Sequence, residues 1–167
     1  MKVYIATDHT GFEVKNKVKD FLIKEGYEVK DFGAFTYDKN DDFPDFISKA
    51  AEAVSEDYES RGIIFGGSGQ AEMMLANKYK GVRAALFYSA IPPLQAADIT
   101  GRQSNDPYEM IKLTRLHNNA NILSIGTRFL TEEDIFKAIK IWLETPFSND
   151  ARHVRRIEKI KQIEQGY

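Results

Sequence analysis

Apolar positions along the chain alternate between short runs and a spacing of three or four residues, the signatures of buried strands and of helices packed on one side. Val3 to Ala6 is a short apolar run. After the turn Asp8-His9-Thr10-Gly11, the residues Val14, Val18, Phe21 and Leu22 share one helical face, and Gly26 stops that helix. Glu28 to Asp31 reads as a second strand, and a polar loop from Thr36 to Asp42 leads through Phe43-Pro44 into a helix that buries Phe46, Ala50 and Val54. A third strand is predicted over Ile63 to Phe65 and a helix over Gln70 to Tyr79. Val82 to Phe87, apolar on both sides, is predicted as a fourth strand buried on both faces. The fifth strand is Asn121 to Ile125. Thr131 with Asp134 marks a helix start, followed by the stripe Ile135, Ala138, Ile139, Trp142 and Leu143. A last helix carries Val154, Ile157, Ile160 and Ile163.

Strands alternating with helices predict an α/β fold: a Rossmann-like three-layer sandwich with a five-stranded parallel sheet and helices on both faces. The 167 residues fit one domain, with no internal repeat. Ile91 to Tyr108 (IPPLQAADITGRQSNDPY) is too long for an ordinary strand-to-helix link and reads as an inserted loop.

Charge narrows the functional classes. With 23 basic and 25 acidic residues the net charge is -2, which argues against a generic nucleic-acid or membrane partner and leaves small anions bound locally. The chain has no cysteine, so disulfides, thiolate catalysis and cysteine metal sites are excluded. No apolar run reaches the length of a signal peptide core or a membrane span, and a cytoplasmic protein is expected.

In a parallel sheet the segments that follow each strand emerge at one edge, where α/β proteins bind ligands. Here they are Asp8-His9, Gly66-Gly67-Ser68-Gly69, Tyr88-Ser89 and Gly126-Thr127-Arg128. The glycine run opens a helix and either aims backbone N–H groups at an anion or simply makes a tight turn. It is not a P-loop, because no Gly-Lys-Ser/Thr follows, and a dinucleotide fingerprint would lie after the first strand. Asp8 fits a helix N-cap as well as a ligand group. His9 can move protons near neutrality. His117, in RLHNNAN, is either a solvated helix end or a catalyst. Arg152 and Arg156, four apart, either grip a phosphate together or belong to a solvated basic face. Glu72 favours the helix dipole. Its apolar neighbours Ala71, Met73, Met74 and Leu75 also suit a base whose pKa is raised by desolvation.

The segments DHTGFEVK, DFPDF, RGIIFGGSG with ANK and GVRAAL, RLHNNAN, GTR and RHVRR occur in the order found in the ribose-5-phosphate isomerase B and galactose-6-phosphate isomerase family, which the chain resembles over nearly its whole length apart from the insertion. The resemblance implies aldose–ketose isomerisation of a sugar phosphate through a cis-enediol, with no metal and no other cofactor. Gly66 stands where the family usually carries a cysteine base, and Glu72 matches the glutamate that one branch uses instead. By the same resemblance Ser68 is the hydroxyl of the catalytic loop, His117 opens the sugar ring and Asn118 partners the oxyanion. Asp8, His9, Gly67, Gly69, Gln70 and Ala71 contact substrate, while Arg128, Arg152 and Arg156 hold phosphate. Ala71 replaces a common glycine and Phe43 a frequent tyrosine. A homodimer or dimer of dimers is implied, with sites at the interface and the segments around His117 and Arg128 supplied across it. Ribose 5-phosphate and ribulose 5-phosphate are the expected substrates. Six-carbon sugar phosphates, or a non-catalytic binding role in which Asp31 grips a nucleotide ribose, are the alternatives.

Overall fold

The computed structural model describes residues 1–166. In chain order the elements are β1 (Lys2–Thr7), a 3-10 turn (His9–Gly11), α1 (Phe12–Lys24), β2 (Glu28–Asp31), α2 (Pro44–Glu56), β3 (Arg61–Gly66), α3 (Gln70–Ala76), β4 (Ala84–Phe87), α4 (Glu109–Leu116), β5 (Ile122–Gly126), α5 (Glu132–Glu144) and α6 (Ala151–Glu164). All strand pairs are parallel, in the order β2-β1-β3-β5-β4. Successive side chains of a strand point to opposite faces, so each central strand serves two apolar layers. Val3, Ile5, Ile63, Phe65, Leu123 and Ile125 meet α1, α4 and α5 through Val18, Leu22, Ile111, Ile135, Ile139 and Trp142. Tyr4, Ala6, Ile64 and Ile122 meet α2 and α3 through Ile47, Ala50, Ala51, Val54 and Ala76. This is the expected three-layer α/β sandwich.

The fourth strand departs from expectation. β4 lies at the edge of the sheet, and three of its four residues are only half-buried. An apolar run does not say whether a strand is central or peripheral, and here the run ends the sheet. α3 also stops at Ala76 rather than Tyr79, because Asn77 turns out of the helix and its side chain pairs with the β4 backbone. Asn77 Oδ1 accepts from the Ala84 N–H at 2.8 Å, and Nδ2 donates to the Ala84 carbonyl at 3.1 Å.

The segment from Ile91 to Tyr108, read from the sequence as an insertion, is an irregular loop pinned by polar groups. Ala97 N donates to the Arg102 carbonyl at 2.7 Å, and Arg102 bridges Asp98 to buried Glu109 at the first turn of α4. Ile91, Leu94 and Ile99 stay in solvent, with Leu94 96% and Ile99 80% exposed, while Tyr108 at the end of the segment is buried in the core. Polar pinning thus holds the first part of this segment and apolar burial anchors its end.

Lys15 on α1 is fully buried. It donates at 2.7 Å to both oxygens of Asp31 and at 2.9 Å to the Ala34 carbonyl. Asp31 also accepts from Gly33 N, so its carboxylate is committed to the segment after β2 and is not the ribose acid of the binding-protein reading.

Candidate active site

The carboxyl ends of β1, β3 and β5 bring Asp8, His9, the Gly66–Gly69 turn and Arg128 to one rim. Hydrogen bonds tie the two innermost turns together. Thr127 N and Oγ1 donate to the Gly66 carbonyl at 2.9 and 3.0 Å, and Arg128 N donates to the Gly67 carbonyl at 3.1 Å. Gly69 adopts φ 73°, and a Cβ there would press on the Leu86 side chain and on the backbone of Ile125 and Gly126. Ser68 Oγ accepts from Gln70 N at 3.4 Å as the chain turns into α3, and Gln70 and Ala71 are exposed at the mouth of the turn.

Glu72 lies in the first turn of α3 and is 5% exposed. Its carboxylate rests against Gly66, filling the volume that a side chain there would need. Burial raises its pKa above the ordinary glutamate value, and the nearby charge of Asp8 pushes in the same direction. The side chain therefore points inward at the glycine turn, as a base with a raised pKa would.

Asp8 caps the 3-10 turn, accepting from Thr10 N at 2.9 Å, so its structural reading holds while its carboxylate also faces the rim. His9 is fixed by a residue the sequence did not mark: Asp41 Oδ1 lies 2.6 Å from His9 Nδ1 and accepts from His9 N at 3.0 Å. No local spacing signals this pair, because Asp41 comes from a polar loop 32 residues later. His9 and Arg128 line one cleft of about 430 Å³ with Thr10, Tyr37 and Thr127. The exposed Arg128 guanidinium lies beside Gly67 of its own chain. Arg128 thus belongs to its own rim and does not need to be supplied across an interface. It follows β5, so strand polarity carries it to the edge where the glycine turn lies.

His117, Asn118, Arg152 and Arg156 gather elsewhere. His117 ends α4 immediately before β5, at the amino-terminal edge of the sheet. The five residues of β5 run from that edge to Gly126, roughly 13 Å from first to last at about 3.3 Å per residue. Within one chain the imidazole and the Glu72 turn therefore face opposite ends of the sheet. His117 lines a cavity of about 360 Å³ with Arg152, His153 and the insertion residues Asp98, Thr100 and Arg102. Exposed Asn118 and Arg156 flank His117 in an adjoining groove.

Burial lowers the pKa of His117, aided by His153 and Arg152, so the neutral imidazole is favoured. Its ring packs 4.2 Å from that of His153, which is buried. Arg152 approaches His153 Nε2 at 3.1 Å, and since a guanidinium only donates, Nε2 accepts and Nδ1–H is left for Ser148 Oγ at 3.1 Å. Arg152 Nε is buried with no acceptor among the described residues. His153 read from sequence only as part of a basic cluster, and its place between His117 and Arg152 emerges from the packing of α6.

Residues 3–160 match a family model described as Ribose/Galactose Isomerase. The chain belongs to this family. It is 36% identical over 167 residues to the ribose-5-phosphate isomerase B of Mycolicibacterium paratuberculosis, covering 100% of this chain and 94% of that one. The structure of the Clostridium thermocellum ribose-5-phosphate isomerase B matches with a TM-score of 0.84 at 36% identity, over 100% of this chain and 99% of that one. That of the Mycoplasma genitalium ribose-5-phosphate isomerase B with bound ribulose-5-phosphate matches with a TM-score of 0.85 at 34% identity, over 99% and 97%. No helix among the described residues is long and apolar enough to cross a membrane.

Proposed function

We propose that the protein is an aldose–ketose isomerase that interconverts ribose 5-phosphate and ribulose 5-phosphate through a cis-enediol, with Glu72 carrying the proton between C1 and C2. The observation behind this reading is the buried Glu72 carboxylate at the glycine turn, in a family whose named relatives isomerise ribose 5-phosphate. Asp31 is already paired with Lys15, which removes the feature that favoured a nucleotide-binding role.

The chemistry follows from the placement of the groups. His117, neutral at physiological pH, shuttles the proton that opens the furanose. Glu72 then takes the proton from C2 of the aldehyde form. The charge that develops on O1 is met by the backbone amides of Gly67 to Ala71, which open α3, and by the Asn118 side chain. O1 gains a proton as O2 gives one up, which carries the intermediate through the cis-enediol, and return of the proton from Glu72 to C1 then gives the ketose. Ser68 and Asp8 hold sugar hydroxyls, and Gly67, Gly69, Gln70 and Ala71 line the reacting end. His9 and Arg128 meet the phosphate from one side, Arg152 and Arg156 from the other. The unpartnered Nε of Arg152 is a donor that a phosphate oxygen would satisfy. No metal or other cofactor enters this scheme.

The two groups of residues face opposite sheet edges, so a second copy must supply His117, Asn118, Arg152 and Arg156 to the Glu72 rim. A homodimer is the smallest assembly that completes a site, and by two-fold symmetry it completes two.

Isomerase assays on the parent and on Glu72→Gln test the reading. The parent is expected to turn over ribose 5-phosphate. The variant should lose on the order of 10²–10⁴-fold in kcat while still binding the sugar phosphate by calorimetry. A parent that binds ribose 5-phosphate without converting it would rule out catalysis.

A further inference from the structure

Two guanidiniums lie behind the turn that carries His117 and Asn118, and the scheme above uses neither. Arg83 is half-buried at the approach to β4, and Arg115 on α4 is 3% exposed. Buried arginines ordinarily pair with carboxylates, since an uncompensated charge is costly to desolvate. Here the hydrogen bonds go to carbonyl and amide oxygens. Arg83 Nε donates to the carbonyls of Asn118 and Asn119, both at 3.1 Å, Nη2 to that of Asn119 at 2.9 Å, and Nη1 to that of Gly81 at 3.1 Å. Arg115 Nη1 donates to Asn119 Oδ1 at 2.9 Å and to the Ala120 carbonyl, and its Nε donates to the Thr145 carbonyl at 3.2 Å. Burial lowers the pKa of both, and that of Arg115 falls to about 10, helped by the nearby charges of Arg61 and Arg83.

The clasped segment is the one that needs holding. Asn119 adopts φ 45°, a left-handed conformation that asparagine tolerates better than most residues and that the Arg83 and Arg115 hydrogen bonds hold in place. Asn121 adds a second layer, its Oδ1 accepting from Arg83 N at 2.7 Å and its Nδ2 donating to the Gly81 carbonyl at 2.9 Å. The turn thus has a fixed shape before any substrate arrives.

We infer that Arg83 is a positioning residue for the isomerase reaction: its guanidinium clasps the carbonyls of the His117–Asn119 turn and holds the ring-opening imidazole and its neighbouring amide in register. Arg115 braces the same turn from the helix side. This deepens the isomerase reading and rests on it for its kinetic consequence, while the geometric claim stands on its own.

Arg83→Gln removes the charge and most of the fork, and Arg83→Lys keeps the charge with a single nitrogen. Both are compared with the parent by two measurements. The first is titration of the imidazole resonances by NMR, which a chain with three histidines allows. His117 is faced by His153 and Arg152 from α6 and by Asp98 and Arg102 from the insertion. Releasing the turn takes it away from these groups and into solvent. In Arg83→Gln its titration is expected to move up toward the ordinary imidazole value, and Arg83→Lys should lie between. The second is kcat on ribose 5-phosphate, expected to fall on the order of 10²-fold in Arg83→Gln, as misplacement of a catalytic group by about an ångström does, with partial recovery in Arg83→Lys. A folded variant with the parent's His117 titration, or with kcat within about twofold of the parent, would overturn the inference and leave Arg83 as a prop for stability alone. Should the parent prove inactive, the isomerase reading fails, while the NMR comparison still decides whether Arg83 sets the turn.

Discussion

The carboxylate of Glu72 occupies the space that a side chain at position 66 would have to enter. A Cβ built on Gly66 would press against both Glu72 oxygens and their carbon, and against nothing else so closely. A carboxylate reaching in from α3 and a side chain projecting from the end of β3 are therefore mutually exclusive at this turn. The glycine is required for the room it leaves, not for its conformational freedom.

Gly66→Ala should accordingly injure catalysis more than its size suggests. The added methyl has no conformational objection to meet but must displace the carboxylate, an overpacking that costs about 1–3 kcal/mol. The expected result is a modest fall in thermal stability together with a large loss of kcat, measured by a thermal melt and steady-state kinetics on the same preparation. Unchanged turnover would mean that the carboxylate acts from some other position.

The raised pKa of Glu72 makes two pH predictions with definite sign. Because burial disfavours its charged form, the base is lost on acidification through a pKa above the ordinary 4.5, so the acid limb of kcat/KM should lie at higher pH than for an exposed glutamate. In the folded protein this group holds its proton to higher pH than in the unfolded chain, so its contribution to stability falls as pH rises from about 4.5 through the folded pKa. Glu72→Gln should therefore be more stable than the parent at neutral pH, and the gain should vanish below the unfolded-state value. Melting curves of both proteins across this range check it.

Complementation tests the shared site. Glu72→Gln and His117→Ala inactivate opposite halves, so each alone should be dead. Mixed and re-associated at equal amounts, half of the dimers are hybrids, each with one intact site of two, and activity should return to about a quarter of the parent's. Failure to recover activity in verified hybrids would exclude a site built from two chains.

Much of this arrangement was legible in the chain itself. The alternation of apolar periods carried the layer order, and the place of the glycine turn after the third strand pointed to Glu72 and its rim. Position within the sheet was not legible. Val82 to Phe87 reads as buried, yet β4 closes the sheet, because hydrophobicity reports contact with apolar surface and not the number of strand neighbours. Arg128 was placed by resemblance across an interface, and strand direction puts it beside its own Gly67. α4 begins where the polar, proline-containing insertion ends, which hid its short apolar stripe. The Asp41–His9 pair and the Arg83 clasp join residues more than 30 positions apart and leave no periodic trace. Lys15, on an otherwise ordinary polar position of α1, gave no sign that it would be sealed inside.

That buried lysine yields a prediction away from the chemistry. Asp31→Asn would leave the Lys15 ammonium without its counter-charge, a change that costs about 3–5 kcal/mol when one partner of a buried pair is removed. Denaturant unfolding should report the loss, while Lys15→Met together with Asp31→Asn should recover part of it. A single Asp31→Asn variant as stable as the parent would show that solvent reaches this pair.

Strand polarity at β5 has a consequence for how activity depends on amount. The turn leading into the strand presents His117 and Asn118, and the turn leaving it presents Arg128, so on the proposed two-chain site a solitary polypeptide would carry two half-sites aimed away from each other. Dilution below the dimer dissociation constant should then extinguish turnover with every helix and strand intact. Freshly made, unpartnered subunits would be silent until they met, and specific activity would climb with concentration before reaching a plateau.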